Sequence, residues 1–589
     1  MGLDTGYVIA LTISLMQTTS QVKWNYVSLF SCIPNQEKIS VVWGARNDAI
    51  VRTLIDFLLM QPRRGNPPDF KWAAAIQRSD GAVVATASTM LGSGLYWSID
   101  HDAASRPYLL IGVSPGDVVL RRKEPTTLDH RYIREYLSGG RSDRKTPYNE
   151  VHRIPAGVFA LWSSIDTAPD EIEWNGPDVW AEPHLEGRDA KEAYLKIFDA
   201  TIARLIEGNA PLASMLSGGL DSSFVVAALA RLTTPDRPVH AFVHAPHPDA
   251  RLSAIGNWDP DDSAFAKIME TAYPGRVVVR KIINTDLVQP QDAALRAAQR
   301  SWLPTFNPGN QIWIDAIAEQ AATIGASMLF SGQKGNAAFS HEHSYAASYY
   351  LQRGRIDQLA KMVFSRAESN ISLCQAARKR VLGPLIRPWR SQKNNPNAEY
   401  KKLIGVPGSD RVTGNSQSQG RRQFLEWLSQ SYGGLFGAGC PAGWILPVDD
   451  PFTASAVLAL AASITPYQWL QGPYPRGYAR LLGEGRVPDE IRLRTRRGGQ
   501  AWDTWFVIRN QRERYLEELK LVHRSPALGG WVDTSEMQKR AEQWPWGEIH
   551  GPSQIEVIAI DRLLSLAAFA RMTEKRLETI NSASSNSAY

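Results

Sequence analysis

The chain has 589 residues, 43% of them hydrophobic and 21% charged, and a mean hydropathy of -0.27. These values exclude a single hydrophobic core, a disordered chain and a membrane-spanning protein, and they indicate several globular domains, two of them large. The net charge of +6, from 65 basic and 59 acidic residues, is too small per residue to predict nucleic-acid binding.

The first 21 residues contain one apolar run, Tyr7–Met16. Asp4 precedes this run, no Lys or Arg stands before it, and the run is too short to cross a bilayer. We therefore expect residues 1–21 to form an N-terminal extension, and we expect neither a signal peptide nor a membrane contact.

Residues 22–166 alternate short apolar runs with turn residues, which is the pattern of β-strands. Helical spacing occurs there chiefly in Asn47–Leu59 and Asp129–Leu137. We therefore predict a mostly β domain of two layers. The predicted strands are Val22–Phe30, Ile39–Trp43, Trp72–Ile76, Ala82–Ser88, Tyr108–Val113, Val118–Arg121 and Val158–Trp162.

A Trp-, Pro- and acid-rich stretch, residues 167–189, is predicted to be a linker. Residues 190–580 then alternate strands with helices, which predicts an α/β domain with a doubly wound parallel sheet and a helical C-terminal part. Residues 391–421 are predicted to form a mobile loop and residues 581–589 a tail. The predicted strands are Leu212–Leu216, Val239–His244, Val277–Ile283 and Met328–Ser331, and the predicted helices are Ala190–Ile206, Ser222–Leu232, Ser263–Tyr273 and Ile312–Ile324.

The three cysteines, Cys32, Cys374 and Cys440, lie far apart in the sequence and form no C-x-x-C pair. Neither a disulfide framework nor a zinc site is therefore expected. A reducing cytoplasm is the expected location.

The sequence S-G-G-L-D-S-S, residues 217–223, stands between a predicted strand and a predicted helix. Backbone N–H groups and the positive end of the helix dipole favour an anion at such a turn. The carboxylate of Asp221 is suited to hold Mg²⁺ against phosphate oxygens. No Gly-Lys-Ser/Thr follows, so this is not a Walker A loop. A plain Gly-Gly turn is the alternative, and the full strand-loop-helix order favours the anion site.

These seven residues match the pyrophosphate loop of the PP-loop ATP pyrophosphatase superfamily, whose members cleave ATP between the α- and β-phosphates. Residues 331–336, S-G-Q-K-G-N, resemble the second signature of asparagine synthetases, typically S-G-E-G-S-D. Residues 447–498 resemble that family's C-terminal motifs, and residues 146–157 resemble the end of its N-terminal domain. The resemblance covers roughly Val22–Leu564 and implies an N-terminal degenerate Ntn-type glutaminase-like domain followed by a synthetase domain.

The resemblance implies an enzyme that uses ATP and Mg²⁺ to adenylate a carboxylate, with release of AMP and pyrophosphate. It assigns metal binding to Asp221 and Asn336 and catalysis to Asp221 and Arg497. Asn336 stands where many relatives have Asp, and Arg497 where they usually have Lys. The implied cofactor-binding residues are Leu216, Ser217, Gly218, Gly219, Asp221, Ser222 and Gly332.

The arginines from Arg492 to Arg497 allow two interpretations. A run of basic residues is often a solvated face, but beside a phosphate loop we expect this run to bind anions.

Glutamine-dependent members of the family carry a glutaminase whose nucleophilic cysteine becomes the first residue after Met removal. Here residue 2 is Gly2, Cys32 lies inside a strand-like run, and the family's R-G-P-D-G and N-G-E-I-Y-N motifs are missing. We therefore expect a glutaminase-like domain without glutaminase activity. The enzyme should use an amine already on its substrate, as β-lactam synthetases and lasso-peptide cyclases do.

Gln333 separates these relatives further, because asparagine synthetases carry Glu there and β-lactam synthetases Tyr. Gln cannot titrate and cannot act as a general base. The stretch looks more like that of lasso-peptide isopeptide cyclases, which join a side-chain carboxylate of a precursor peptide to its N-terminal amine.

Three functions therefore stay open. The favoured one is a lasso-peptide macrocyclase, with a precursor peptide, a leader-peptide protease and a leader-binding protein as partners. The alternatives are an asparagine synthetase or β-lactam-type synthetase acting on a small amino acid, and an inactive peptide-binding scaffold. No nucleic-acid partner is expected.

Overall fold

The computed structural model of this chain describes residues 38–43, 71–77, 82–102, 104–138, 144–254, 256–343, 345–364, 378–382, 420–430, 443, 445–471, 474–549 and 551–586. Several predictions lie outside these ranges: the N-terminal extension, the strand Val22–Phe30, the helix Asn47–Leu59, the cysteines and nearly all of the loop 391–421.

Two antiparallel sheets form the N-terminal region. One has five strands in the order β1-β2-β3-β7-β8 and the other three strands in the order β5-β4-β6. Trp97 and Trp162, one from each sheet, meet with ring centroids 5.5 Å apart in a shared apolar core. The mostly β, two-layer prediction is confirmed. The strands are β1 Lys38–Trp43, β2 Ala73–Gln77, β3 Val83–Ala87, β4 Leu95–His101, β5 Pro107–Gly112, β6 His152–Ile154, β7 Val158–Trp162 and β8 Asp170–Glu173.

Strands β4 and β6 were not predicted, and two further details of this region differ from the sequence prediction. The predicted strand Val118–Arg121 is wrong, because helix α1, Pro115–Val119, covers its start. Ser114 and Asp117 form a capping box around a proline at the first helical position, and these signals begin a helix. The predicted linker 167–189 contains strand β8 and the beginning of the next region's first helix. Helix α2, His130–Leu137, confirms the prediction at Asp129–Leu137.

Five parallel strands form the central sheet of the second region, in the order β12-β10-β9-β13-β14. The chain builds outward from β9 in one direction and then returns to build outward in the other, which confirms the doubly wound prediction. The strands are β9 Leu212–Met215, β10 Val239–His244, β12 Val277–Ile282, β13 Leu329–Phe330 and β14 Val448–Asp449. A separate parallel pair joins β11 Trp258–Asp259 to β15 Arg497–Gly498.

Helices cover this sheet and extend the chain beyond it. Each of the four helices predicted in the second region has a counterpart. Helix α6 was not predicted, because its buried face is made mostly of alanines and gives a weak apolar pattern. The helices are α3 Gly187–Leu205, α4 Leu220–Leu232, α5 Ser263–Ala272, α6 Pro290–Ser301, α7 Pro308–Thr323, α8 Gly335–Ala338, α9 Ala346–Gln352, α10 Ile356–Phe364, α11 Gly420–Ser429, α12 Ser455–Ser463, α13 Pro466–Trp469, α14 Gly477–Leu482, α15 Asp489–Arg492, α16 Thr504–Arg509, α17 Arg512–Lys520, α18 Thr534–Glu542 and α19 Gln554–Asn586.

Helix α19 corrects the predicted tail, because residues 581–586 belong to it. Its end is held by Asn581, whose side chain donates to the carbonyl of Thr126 at 3.1 Å and accepts from the Thr126 amide at 3.2 Å. In the described part of the chain, no helix has both the length and the apolar character needed to span a bilayer.

Four phenylalanines pack together beneath the carboxyl ends of the strands. Phe224 of α4 stacks on Phe339 with centroids 4.4 Å apart, and Phe452 lies 4.9 Å from Phe198 and 5.3 Å from Phe339. All four rings are fully buried, and burial of each contributes about 1.5–3 kcal/mol. This cluster joins α4 to the segments that follow β13 and β14, and so positions three chain segments around one site.

Candidate active site

The loop of residues 217–219 follows β9 and leads into the N-terminus of α4. It lies beside β13, at the point where the strand order reverses and where doubly wound sheets bind their ligands. Gly218 has φ 63°, and a Cβ on it would lie 2.9 Å from the Cβ of Phe265, so glycine is required there. The hydroxyl of Ser222 contacts both the amide and the hydroxyl of Ser217 at 3.0 Å. The loop is therefore closed by its own serines.

Two adjoining cavities meet at this loop. The smaller, of about 220 Å³, has apolar walls that include Leu216, Phe242 and Trp313. The larger, of about 760 Å³, is polar and rich in arginine. Every site residue predicted from the sequence lines one cavity or both. Ser217, Asp221, Asp262, Asn336 and Gln500 line both; Leu216, Ser222, Gly332 and Gln333 line the smaller; Gly218, Gly219 and Arg497 line the larger.

Asp221 lies at the junction of the two cavities, in the first turn of α4. Its Oδ1 is buried and accepts no hydrogen bond within the part of the chain that is described. A Cβ on Gly335 would lie 2.6 Å from that oxygen, so the second signature packs directly against the carboxylate. Burial raises the pKa of Asp221, and this rise is opposed by the guanidinium of Arg476, 3.8 Å away, and by the neighbouring hydroxyl of Ser340. A buried carboxylate oxygen without a donor fits a bound cation.

Asn336, in α8, provides the second oxygen of the predicted metal site. Its Oδ1 accepts a hydrogen bond from Arg476 at 3.3 Å, so the same guanidinium lies beside both residues. A carboxylate and an amide oxygen are ligands that Mg²⁺ accepts, provided that phosphate oxygens complete the set. No group of three or more His, Cys, Asp or Glu residues suited to a metal occurs among the described residues. The arrangement therefore fits a cation brought by a nucleotide, once Arg476 has turned away.

Arg476 was noted in the sequence only as one of the family's motifs, and the structure makes it central to the site. Its backbone is left-handed, with φ 59°, a conformation that costs about 1–3 kcal/mol for a residue with a Cβ. Glu342 lies between Arg476 and Arg497, with its Oε1 3.9 Å from the first guanidinium and 3.3 Å from the second. Glu342 therefore provides the negative charge that the two arginines share.

The arginine run of residues 492–497 is not one anion-binding face, which corrects the sequence prediction. Arg494 is buried and pairs with Asp259 and Asp262 at 2.8 Å each. Its Nη1 also donates to the carbonyl of Gly218 at 3.4 Å, which ties the run to the phosphate loop. Arg496 pairs with Asp259, and Arg492 with Asp489. Only Arg497 in this run contacts Glu342, and the pairing of β15 with β11 fixes its backbone.

Asp450 holds the second signature in place and was not singled out from the sequence. Its Oδ2 accepts from the Lys334 amide at 2.7 Å and from the Ser331 hydroxyl at 3.3 Å. Burial raises the pKa of Asp450 to about 7. Asp450 belongs to the Asp-Asp-Pro stretch within the family's C-terminal motifs, and this membership was the only sequence signal for it. The resemblance assigned no role to the residue.

Residues 193–569 match the family model described as asparagine synthase, which is well over half of the chain. The chain therefore belongs to the asparagine synthase family. Membership of this family supports an ATP-dependent ligase that forms C–N bonds. A comparison with curated proteins found no match for this chain.

Proposed function

We propose that this chain is an AMP-forming peptide macrocyclase. It would adenylate the side-chain carboxylate of an Asp or Glu in a precursor peptide and close that carboxylate onto the peptide's N-terminal amine. The observation that carries the proposal is the pair of unequal cavities that meet at the phosphate loop. One has the size and walls of a base pocket, and the other has room for a peptide.

The nucleotide half of the proposal rests on the smaller cavity and the loop. Leu216, Phe242 and Trp313 supply apolar walls for a purine. A Cβ on Gly332 would lie 3.0 Å from the Ser222 amide nitrogen, so the glycine lets the second signature approach the phosphate loop closely. The base would enter the apolar cavity, and the triphosphate would extend across the loop into the polar cavity.

The loop amides and the hydroxyls of Ser217 and Ser222 would bind pyrophosphate, and Arg476 and Arg497 would neutralise its charge. Asp221 and Asn336 would hold Mg²⁺, which when bound neutralises phosphate oxygens. Glu342 now pairs with both arginines. An incoming phosphate would therefore compete with Glu342 for the two arginines.

The peptide half rests on the size of the larger cavity and on Gln333. About 760 Å³ is near the upper part of the range of roughly 300–1,000 Å³ for sites that enclose drug-sized ligands. Gln333 lines the smaller cavity next to the loop and cannot remove a proton from the attacking amine. Joining two ends of one bound chain reaches effective molarities of roughly 10⁵–10⁸ M, which lessens the need for a base.

A synthetase of a small amino acid, such as asparagine synthetase, is the second candidate, and the name of the matching family favours it. Free aspartate would then bind next to the loop, and ammonia would be the nucleophile. An inactive peptide-binding scaffold would consume no ATP with either substrate. The precursor peptide, a leader-peptide protease and a leader-binding protein are the partners that the macrocyclase proposal requires.

The test incubates the protein with ATP, Mg²⁺ and synthetic peptides that have a free N-terminus and one Asp or Glu at varied distances from it. We expect a product lighter by one water, together with AMP and not ADP. Matched peptides with Asn or Gln at the acidic position should give neither. AMP formation with free aspartate and ammonia, and with no peptide, would replace the macrocyclase by an asparagine synthetase.

A further inference from the structure

Four acidic residues line the larger cavity, and three of them have an arginine partner. Asp221 lies 3.8 Å from Arg476, Asp262 lies 2.8 Å from Arg494, and Glu342 lies 3.3 Å from Arg497. The fourth, Asp561, forms no ion pair with any Lys, Arg or His of the described ranges. Among the described residues, Asp561 is therefore the one acidic side chain of this cavity that has no basic partner.

Asp561 belongs to a helix face that is turned toward the cavity. Gln554, Val557, Ile558 and Asp561 all line the cavity, and their spacing places them on one side of α19. Asp561 is 2% exposed. Its Oδ1 accepts a hydrogen bond from the Tyr515 hydroxyl at 2.9 Å. Burial raises the pKa of Asp561 to about 7, as expected for a carboxyl that lacks a nearby cation.

The same cavity also offers amide groups. Asn307 and Asn310 come from the start of α7, and Gln500 follows β15. The Asn310 amide donates to the Gln500 side chain at 3.4 Å. The arginines that line this cavity have other partners, which are carboxylates or, for Arg480, backbone carbonyls. Among the described residues, the cavity therefore presents both arginine side chains and one carboxylate without a basic partner.

We propose that Asp561 binds a primary ammonium group of the substrate. A buried carboxylate without a partner is unfavourable, and a cation that fills the neighbouring space supplies a charge-assisted hydrogen bond. The identity of the amine rests on the proposed function, in which every substrate must carry a free N-terminal ammonium. A substrate with a carboxylate for the phosphate loop and an ammonium for Asp561 would match the charges that line this cavity.

The first test measures binding of phenylalaninamide, which has an ammonium and no carboxylate, with N-acetylphenylalaninamide as the neutral control. We expect the wild-type protein to bind only the ammonium compound, as seen by saturation-transfer NMR or calorimetry. Asp561→Asn should weaken this binding at least about tenfold, because it removes one member of a buried charge pair. Equal binding by the variant, or no binding by the wild-type protein, would overturn the proposal.

Tyr515→Phe is the matched variant, since it removes the hydroxyl that contacts Asp561 and leaves the carboxylate. It should retain ammonium binding, whereas a purely structural Tyr515–Asp561 pair would make the two variants behave alike. Thermal unfolding and ATP binding of both variants show whether they are folded.

The probe needs neither ATP nor a reactive carboxylate, so its result is independent of the ligase chemistry. Ammonium binding without AMP formation from any peptide would retain the Asp561 site and reject the proposed function. AMP formation with an unchanged KM for free-amine peptides in Asp561→Asn would reject the site alone.

Discussion

The two regions of this molecule are built on different sheets and contribute unequally to the site. The N-terminal region places its apolar residues between two antiparallel sheets. Among the described residues it contributes none to either cavity, since every lining residue lies at or after Met215. The second region places the loop of residues 217–219, arginines and carboxylates at the carboxyl edge of a parallel sheet. From this difference we expect recognition and chemistry to belong to the second region.

The N-terminal region nevertheless contacts segments of the second region that adjoin the site. The hydroxyls of Tyr136 and Tyr148 donate to the carbonyls of Pro304 and Trp302, at 3.0 and 2.9 Å. These carbonyls lie in the connection between α6 and α7, and the first turn of α7 lines the larger cavity. The buried Lys71 pairs with Asp449 at 2.5 Å, in the edge strand of the parallel sheet. The N-terminal region therefore stabilises segments of the second region that lie next to the site.

The largest expected effect comes from Asp221, which belongs to the second region. Asp221→Ala should lower carboxylate-dependent AMP formation by roughly 10²–10³-fold or more, because a preorganised charge at the phosphates is lost. Pyrophosphate release provides the measurement. The fold should persist, since the side chain leaves a buried oxygen without a donor. Asp489→Ala, at an exposed ion pair with Arg492, is the control. Near-normal turnover in Asp221→Ala would contradict the assignment of the site.

The next largest effect concerns stability and tests the contribution of the N-terminal region. Lys71→Met leaves Asp449 buried without its cation, and the free energy of unfolding should fall by about 3–5 kcal/mol. KM for ATP, measured well below the unfolding temperature, should change less than about twofold, because Lys71 lines neither cavity.

Lys123→Met, at an exposed lysine of the same region, controls for loss of charge. The double variant with Asp449→Asn should recover part of the stability, which a thermodynamic cycle would quantify. If Lys71→Met instead abolished AMP formation without lowering stability, the N-terminal region would take part in the chemistry.

The sequence was most informative where a residue's role depends on its immediate neighbours. The strand-loop-helix order around Ser217–Ser223 was sufficient to predict the loop between β9 and α4, because its glycines and serines act locally. Four of the five strands of the doubly wound sheet were likewise predicted, but the two-residue strand β14 and the alanine-faced α6 were not. Strand Val118–Arg121 was mispredicted because two adjacent valines suit a strand and a helix alike, and the capping box was overlooked.

Pairings across the fold were not accessible from the sequence. Arg494 and Arg497 are three residues apart, yet one is buried between two aspartates and the other contacts Glu342 at the cavity surface. Nothing in their local pattern distinguishes them. Asp561 lies in a long helix, and its partner Tyr515 comes from a separate helix, 46 residues earlier in the chain. Such roles are set by tertiary contacts.

The smallest expected effect is a pH dependence of stability that belongs to the second region. Burial raises the pKa of Asp561 to about 7 from an ordinary value of 3.8, so the folded state binds a proton that the unfolded state releases. The stability contributed by this proton is fully present below pH 3.8 and is lost as the pH rises through 7. The neighbouring Tyr515 does not titrate in this window, because burial raises the pKa of its hydroxyl well above 10.

Asp561→Asn stays neutral throughout, so its unfolding free energy should fall less than that of the wild-type protein between pH 4 and pH 8. Denaturant unfolding at several pH values provides the measurement. Parallel curves for the two proteins would contradict the raised pKa of Asp561.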